Sequence, residues 1–114
     1  MRRGEIWVGN LNPNRGAEVG KIRAVLIMQA DFLTAQGEPT IIVLPLTKKV
    51  RQAKEPLHIT IDARDRLLHK CQIVPEQPRT LDRKRLVDGP LTTLRPEEML
   101  AVERSLSAVL GMFV

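Results

Sequence analysis

The sequence has few of the residues on which many functional sites depend. It contains one cysteine, two histidines, one tryptophan, two phenylalanines and no tyrosine. A single cysteine cannot form a disulfide within the chain, and it argues against a cysteine-based metal site. So few aromatic side chains exclude the base-stacking platform that RNA-recognition sheets use. If this chain binds nucleic acid, contacts to the nucleic-acid backbone and one small pocket must provide the recognition.

Long apolar segments are also missing. No stretch approaches the roughly 20 apolar residues of a membrane span, and the polar start lacks the apolar core of a signal peptide. We therefore expect a cytoplasmic protein with no membrane partner. The length fits one domain spanning residues 1–114. With 18 Lys and Arg against 13 Asp and Glu, the chain is basic, which points to nucleic acid or an acidic protein segment as partner.

The first thirty residues predict two strands joined by a polar loop. Residues 3–11 and 22–28 are apolar and β-branched, whereas residues 12–21 are rich in Asn, Pro and Gly. Lys21 and Arg23 are two residues apart, and side chains with that spacing in a strand point to the same side. Two cations beside such a loop suit a phosphate. The same residues would also fit a plain hairpin whose charges are solvated.

A second candidate site residue follows a buried strand. Residues 40–44 form a continuous apolar run, as in a strand buried on both faces. Thr47 comes at the exit of that strand, beside Lys48 and Lys49. Its hydroxyl is either part of a site or a turn hydroxyl that binds its own backbone.

The middle of the chain gives weaker patterns. Residues 50–56 form a basic loop that we interpret as solvated. Alternation over residues 57–61 predicts a half-exposed strand with His58 facing solvent. His69 falls in a connector, and residues 88–90 predict a turn.

The C-terminal segment predicts a helix. Pro96 suits its first position, two glutamates follow in the first turn, and Gly111 is a candidate cap. A single earlier turn could be capped by Asp31. Apolar residues step by three and four along one helix face, which favours burial in the core or in a dimer interface: Met99, Val102, Leu106, Val109 and Phe113. The whole pattern indicates an α+β fold, a small, strongly twisted antiparallel β-barrel with this helix packed on it.

Three motifs together resemble a known family. They are RGEIW at residues 3–7 with NPNRGAEVGKIR at residues 12–23, PLT at residues 45–47, and EQPRT at residues 76–80 followed by RL at residues 85–86. In this order and spacing they resemble the MazF/PemK (Kid-like) family of type II toxin–antitoxin endoribonucleases, over nearly the whole chain. The resemblance implies the SH3-like barrel that this family shares with CcdB.

The same resemblance implies an activity and partners. It implies a homodimer that cuts single-stranded RNA, such as mRNA, at short specific sequences without a metal or other cofactor. The ribose 2′-hydroxyl would attack the adjacent phosphate, leaving a 2′,3′-cyclic phosphate and a 5′-hydroxyl, and the loss of mRNA would block translation and growth. It also implies a cognate acidic antitoxin, with DNA contacted only indirectly through that antitoxin.

Site residues are carried over by position. Arg23 and Thr47 match the catalytic arginine and threonine of the family, and Glu76 falls where the PemK-like branch has a catalytic aspartate. The predicted RNA contacts are Asn14, Arg15, Glu18, Lys21, Lys48, Gln77 and Arg79. Several positions depart from the family pattern. Ala24 replaces a proline, Lys48 replaces a serine, and Val74 replaces the second arginine of the PemK-like branch. Ala17 and Val19 replace polar loop residues, and the loop has no histidine. No residue is predicted to bind a metal.

The chemistry suggests a role for each catalytic candidate. Negative charge builds on the phosphate oxygens during transfer, and fixed donors aimed at that charge stabilise it. A guanidinium is a poor proton donor, so Arg23 is a charge stabiliser, and the Thr47 hydroxyl adds one donor. Glu76 could accept the 2′-hydroxyl proton, or it could be a surface carboxylate paired with Arg79. The alternative function is a catalytically weakened or CcdB-like homologue that acts by binding RNA or a protein.

Overall fold

Seven short strands form one antiparallel sheet in the computed structural model, which describes residues 1–112. In chain order the strands are β1 (Glu5–Asn10), β2 (Ile22–Ile27), β3 (Thr40–Thr47), β4 (Ile59–Ile61), β5 (Cys71–Ile73), β6 (Arg79–Asp82) and β7 (Leu86–Thr93). The same residues include helices α1 (Asp31–Ala35) and α2 (Pro96–Val109) and two 3-10 segments, Gln52–Lys54 and Arg83–Arg85. No helix within residues 1–112 has the length and apolarity to cross a membrane.

Strand β3 is the centre of the sheet. The strand order is β4-β5-β3-β2-β1-β7, and β6 also pairs with β3. One edge of β3 pairs with β2, while on the other edge β6 pairs with its first half and β5 with its last two residues. This division curls the sheet into a half-barrel. The predicted antiparallel barrel with a C-terminal helix is therefore confirmed.

Side-chain alternation along the strands creates two cores. Ile6, Leu26 and Leu44 belong to the core that packs beneath α2, where Val102 is fully buried. Their neighbours in sequence point to the opposite face, where they form a second core with residues of the long loop and of β6: Leu11, Val25, Ile27, Ile41, Val43, Leu81 and Leu86. The loop after β1 is thus anchored by its own apolar residue in that second core.

Helix α2 begins and ends where the sequence predicts. Pro96 is its first residue, and Gly111, with φ +72°, follows its C-terminal end. Within the predicted apolar stripe, Met99 and Leu106 pack on the first core around Val102. Val109 is 36% exposed, and Phe113 lies outside the described residues. The stripe therefore packs on the core in its middle and reaches the surface toward its end.

The predicted turn at residues 88–90 is wrong, because these residues lie inside β7. Asp88 has φ +52°, and the pairing of β1 with β7 shifts register between Ile6 and Val8, so the feature is a bulge within a strand. Gly89 lies against the indole ring of Trp7, and a Cβ at this position would overlap the ring. The glycine here permits a close approach of two strands.

Two smaller predictions also need correction. Helix α1 begins at Asp31, but this residue does not cap it; its Oδ1 accepts from the backbone N–H of Arg3 at 2.8 Å. Strand β3 continues through Pro45 and ends at Thr47. Ile42 is 42% exposed, so the strand is buried on both faces only over its later residues.

Three arginines of β6 and the 3-10 segment after it bind backbone carbonyls in other parts of the chain. Arg79 donates to the carbonyls of Leu11 and Val19. Arg83 donates to the carbonyls of Thr34 at 3.0 Å and Glu38 at 3.1 Å, and Arg85 to that of Asn12 at 2.7 Å. We call these three residues the arginine clamps. They tie the loop after β1 and helix α1 to the sheet.

Candidate active site

The register of the central strands brings Arg23 and Thr47 together. β2 pairs antiparallel with β3 so that Val25 lies opposite Pro45. Continuing that register by two residues places Arg23, at the start of β2, opposite Thr47, at the end of β3. Arg23 also donates from its Nη1 to the carbonyl of Leu46 at 3.3 Å. Two residues that are distant in sequence thus share the open end of one strand pair.

Arg23 is a half-buried cation held by backbone groups. Its Nε donates to the carbonyl of Gly20 at 2.8 Å, and burial lowers the pKa of its guanidinium below the ordinary value. No ion pair joins it to an acidic side chain within residues 1–112. A fixed guanidinium without a carboxylate partner is suited to bind an anionic oxygen.

Thr47 fits both interpretations of its hydroxyl. Its Oγ1 accepts from the backbone N–H of Lys49 at 3.1 Å, so it is indeed a turn hydroxyl. That bond uses the oxygen as an acceptor and leaves the hydroxyl hydrogen able to donate. The turn therefore orients the hydroxyl, and the hydroxyl can still donate to a bound group.

Two side chains, one just before β6 and one within it, hold the loop between β1 and β2 in place. The Oε1 atom of Gln77 accepts from the N–H of Val19 at 2.7 Å, and its amide donates to the carbonyl of Ala17 at 3.4 Å. Arg79 donates to the carbonyl of Val19 at 3.2 Å. Both residues are predicted RNA contacts, and the structure engages both side chains in fixing the loop.

The other predicted RNA contacts divide between two clefts and the surface. Asn14, Glu18 and Lys21 line a cleft of about 450 Å³ that also contains Arg23, Thr47 and Glu76; we call it the basic cleft. Inside the loop, Asn14 donates to the carbonyl of Glu18 at 3.2 Å, and Glu18 accepts from the N–H of Arg15 at 2.7 Å. Arg15 is exposed and does not line the basic cleft, and Lys48 lines a neighbouring cleft instead.

Three further cations, which the sequence did not mark as site residues, line the basic cleft: Lys49, Arg51 and Lys54. The basic loop interpreted as solvated is held by Gln72, a fully buried residue of β5. Gln72 accepts from the N–H of Arg51 at 3.1 Å and donates to its carbonyl at 3.0 Å and to Thr60 Oγ1 at 3.1 Å. The sequence does carry a signal for this held loop, a glutamine inside an apolar strand, because a buried amide must find hydrogen-bond partners.

His58 does not face solvent, contrary to the prediction from alternation. It is 8% exposed, it lines the basic cleft, and its Nε2 lies 2.7 and 3.0 Å from the two carboxylate oxygens of Glu76. The alternation failed because β4 begins only at Ile59, while the His58 N–H closes a turn by donating to the carbonyl of Lys54 at 2.9 Å. His69 is exposed and lines the neighbouring cleft.

Glu76 pairs with His58 rather than with Arg79. Burial by itself would raise the pKa of Glu76. The hydrogen bond from His58, a backbone hydrogen bond and the charges of His58 and Lys54 outweigh that effect and lower the pKa below its ordinary value. The carboxylate is therefore ionised at neutral pH, in a cleft whose other charged residues are mostly cations.

The neighbouring cleft, of about 760 Å³, has more apolar lining residues than the basic cleft, and we call it the apolar cleft. The two clefts share Lys21, Arg23, Thr47 and Lys49, so the strand ends that carry Arg23 and Thr47 form the boundary between them. Ile22 and Leu68 line the apolar cleft and are 65% and 79% exposed. Within residues 1–112 no group of three or more His, Cys, Asp or Glu residues is arranged to hold a metal ion.

Solved structures with similar folds come from toxins. The chain is 19% identical to MazF from Deinococcus radiodurans, with a TM-score of 0.81 over 98% of this chain and 97% of that one. It is 17% identical to the Mycobacterium tuberculosis toxin MazF-mt6, with a TM-score of 0.78 over 96% and 99%. A mycobacterial endoribonuclease in complex with its cognate antitoxin matches at 19% identity and a TM-score of 0.76, over 98% and 96%.

A family model for the PemK-like, MazF-like toxins of type II toxin–antitoxin systems matches residues 2–110. The match includes both strand ends that carry Arg23 and Thr47, the segment with Glu76, and helix α2. It confirms the resemblance that the three sequence motifs indicate. The chain belongs to the PemK-like, MazF-like family of toxins of type II toxin–antitoxin systems.

Proposed function

We propose that this toxin is a metal-independent endoribonuclease that cuts single-stranded RNA at specific short sequences. The observation that carries the proposal is that Arg23 and Thr47 line one cleft, where the paired strands β2 and β3 begin and end. A half-buried guanidinium and an oriented hydroxyl lie together in a cleft lined by further cations. Such a cleft suits a polyanion, and the two fixed donors suit one phosphate of it.

The proposed reaction is an in-line transfer at that phosphate. The 2′-oxygen forms a bond to phosphorus while the bond to the 5′-oxygen breaks, and the departing 5′-oxygen takes a proton from water, which yields a 2′,3′-cyclic phosphate and a 5′-hydroxyl. Arg23 and Thr47 donate to the non-bridging oxygens as they gain charge, each contributing about 3 kcal/mol if they act like oxyanion-hole donors. The Glu76 carboxylate accepts the 2′-hydroxyl proton.

The remaining cleft residues would bind the RNA around the reacting phosphate. Asn14, Glu18 and Lys21 come from the loop after β1. Lys49, Arg51 and Lys54 come from the loop held by Gln72. Because no Phe, Tyr or Trp within residues 1–112 lines the cleft, hydrogen bonds and ionic contacts rather than stacking would select the sequence.

Cleavage should proceed in excess chelator. Purified protein incubated with a long unstructured RNA in EDTA should generate defined 5′ ends, because the donors that stabilise the phosphate are side chains. The ends are mapped by primer extension, and a parallel reaction with added magnesium is the control. Activity that appears only with magnesium would contradict the mechanism. No cleavage under either condition would favour the alternative, a homologue that acts by binding.

We further propose that the active form is a homodimer, with a second copy of the chain on the apolar cleft. Ile22 and Leu68 are large apolar side chains exposed beside Arg23 and Thr47. A subunit seated there would complete a longer RNA groove than one small domain can offer.

Leu68→Glu should therefore convert the protein to a monomer and lower its activity, because a charge would be buried in the interface. Size-exclusion chromatography with light scattering, run beside the cleavage assay, measures both effects. Phe32→Glu is the matched control, since Phe32 on α1 is likewise a largely exposed apolar residue, at 65%, and lies outside both clefts. A Leu68→Glu variant that remains dimeric would place the interface elsewhere, and a fully active monomer would contradict the dimer requirement.

A cognate antitoxin completes the proposal. One solved relative is an endoribonuclease in complex with its cognate antitoxin, and another is a MazE–MazF complex from Deinococcus radiodurans. For this chain we propose an antitoxin with an acidic, disordered segment that orders over the basic cleft. Contact with DNA would then be indirect, through the antitoxin.

A further inference from the structure

The pair formed by His58 and Glu76 has a feature that RNA binding alone does not require. The His58 side chain is 9% exposed, and its Nε2 contacts the Glu76 carboxylate at 2.7 Å. Its other ring nitrogen, Nδ1, is buried and has no hydrogen-bond partner in the part of the chain that the structure describes. The contact to a carboxylate assigns the proton to Nε2, so the imidazole donates to Glu76.

We infer that His58 is a positioning residue, which fixes the Glu76 carboxylate in the basic cleft in the orientation needed to accept the 2′-hydroxyl proton. This inference rests on the proposed ribonuclease function. The ring is buried, whereas the Glu76 side chain is 33% exposed, so Glu76 can meet the RNA and His58 acts through it. The proton passes from the 2′-oxygen to the carboxylate, and His58 keeps its own proton throughout.

The backbone around His58 is itself held on both sides. Its N–H donates to the carbonyl of Lys54 at 2.9 Å. The hydroxyl of Ser105, a buried residue of helix α2, donates to the carbonyl of Leu57. The backbone that carries the imidazole is therefore fixed to the core of the protein. Without the bond from His58, the Glu76 side chain, on a short segment after β5, would keep only a hydrogen bond to the backbone.

The charges facing Glu76 determine what removal of His58 should do. Besides the bond from His58, the charge of Lys54 lowers the pKa of this carboxyl. The basic cleft is also lined by four more cations and, within residues 1–112, by one other carboxylate: Lys21, Arg23, Lys49, Arg51 and Glu18. Burial opposes the ionised form of Glu76, and the bond from His58 is the largest effect that favours it. Losing that bond should raise the pKa of Glu76.

The experiment compares His58→Leu, His58→Gln and the wild type, with Glu76→Gln as reference and Arg104→Ala as the control, since Arg104 is exposed on α2 and lines neither cleft. Glutamine keeps an N–H that can reach the carboxylate, whereas leucine keeps only the volume. The pKa of Glu76 is measured by carbon-13 NMR titration of its carboxylate. The kcat and KM of RNA cleavage are measured as functions of pH, with folding checked at each pH.

We expect Glu76→Gln to lose about 100-fold in kcat, the lower end of what a general base contributes. His58→Leu should lose a large part of that factor with little change in KM, raise the pKa of Glu76, and move the acidic limb of the rate profile to higher pH. His58→Gln should restore the pKa and most of kcat. Arg104→Ala should behave as the wild type.

Three results would overturn the inference. One is a Glu76 pKa in the wild type that is not below the ordinary value, which needs no variant to fold. Another is a folded His58→Leu protein with unchanged kcat and an unchanged acidic limb. The third is an altered cleavage sequence without any shift of the acidic limb, which would indicate that the pair recognises a base. If the wild type cuts no RNA, the proposed function fails, whereas the NMR titration still tests the bond between His58 and Glu76.

Discussion

Replacing Arg23 by alanine should reduce the rate of RNA cleavage at least about 100-fold, the scale on which loss of one oxyanion donor acts. Arg23 brings several N–H donors to the strand ends, and its guanidinium meets no carboxylate within residues 1–112. Arg23→Lys should recover only part of the rate, because an ammonium keeps the charge but loses the planar fork. Single-turnover cleavage at saturating protein measures the effect.

The companion residue and the controls sharpen this test. Thr47→Ala should also lower the rate, though less, whereas Thr47→Ser keeps the hydroxyl and should retain most of it. Arg104→Ala is the matched control, since Arg104 is exposed on α2 and lines neither of the two clefts. Circular dichroism must show a folded protein, because Arg23 also holds the carbonyl of Gly20. Near-normal cleavage by folded Arg23→Ala would remove this residue from the mechanism.

Gly89→Ala should destabilise the protein by about 1–3 kcal/mol, the usual cost of overpacking a filled site. The added methyl group would overlap the indole of Trp7, which itself packs on the second core. Urea denaturation followed by circular dichroism measures the free energy of unfolding.

A double-mutant cycle with Trp7→Leu identifies the cause. If the clash with the ring is responsible, Gly89→Ala should cost clearly less in the Trp7→Leu background, with a coupling of about 0.5–3 kcal/mol. Equal costs in both backgrounds would show that the clash with the ring is not the cause. A Gly89→Ala protein as stable as the wild type would mean that the two strands move apart at little cost.

The positions of Arg23 and Thr47 at strand ends could be predicted from the sequence because both adjoin strongly apolar runs, whereas their selection as catalytic candidates depended on the family resemblance. Their order along the chain and the antiparallel pairing of neighbouring strands are enough to bring such ends together. Gly111 and Pro96 were equally predictable, since helix ends depend on local backbone geometry. Patterns of this kind are read within one element or between consecutive elements.

The environment of Glu76 could not be predicted in the same way. Its partner His58 lies 18 residues away, on a turn that precedes a strand of only three residues, so no periodicity marks where the ring points. Gln77 and Arg79 hold a loop about 60 residues distant, and nothing local distinguishes them from side chains that would contact RNA. Gly89 resembles a turn residue in sequence because the ring that it accommodates comes from β1, far away in the chain.

The arginine clamps and the cations of the basic cleft should respond differently to salt. Arg79, Arg83 and Arg85 form direct hydrogen bonds to carbonyl oxygens, which are little affected by ionic strength. Most cations of the basic cleft are exposed to solvent, and their attraction for phosphates weakens steeply as salt is added. Raising the salt concentration should therefore release bound RNA from a toxin whose loop and sheet stay assembled, and dilution should let it bind again without refolding.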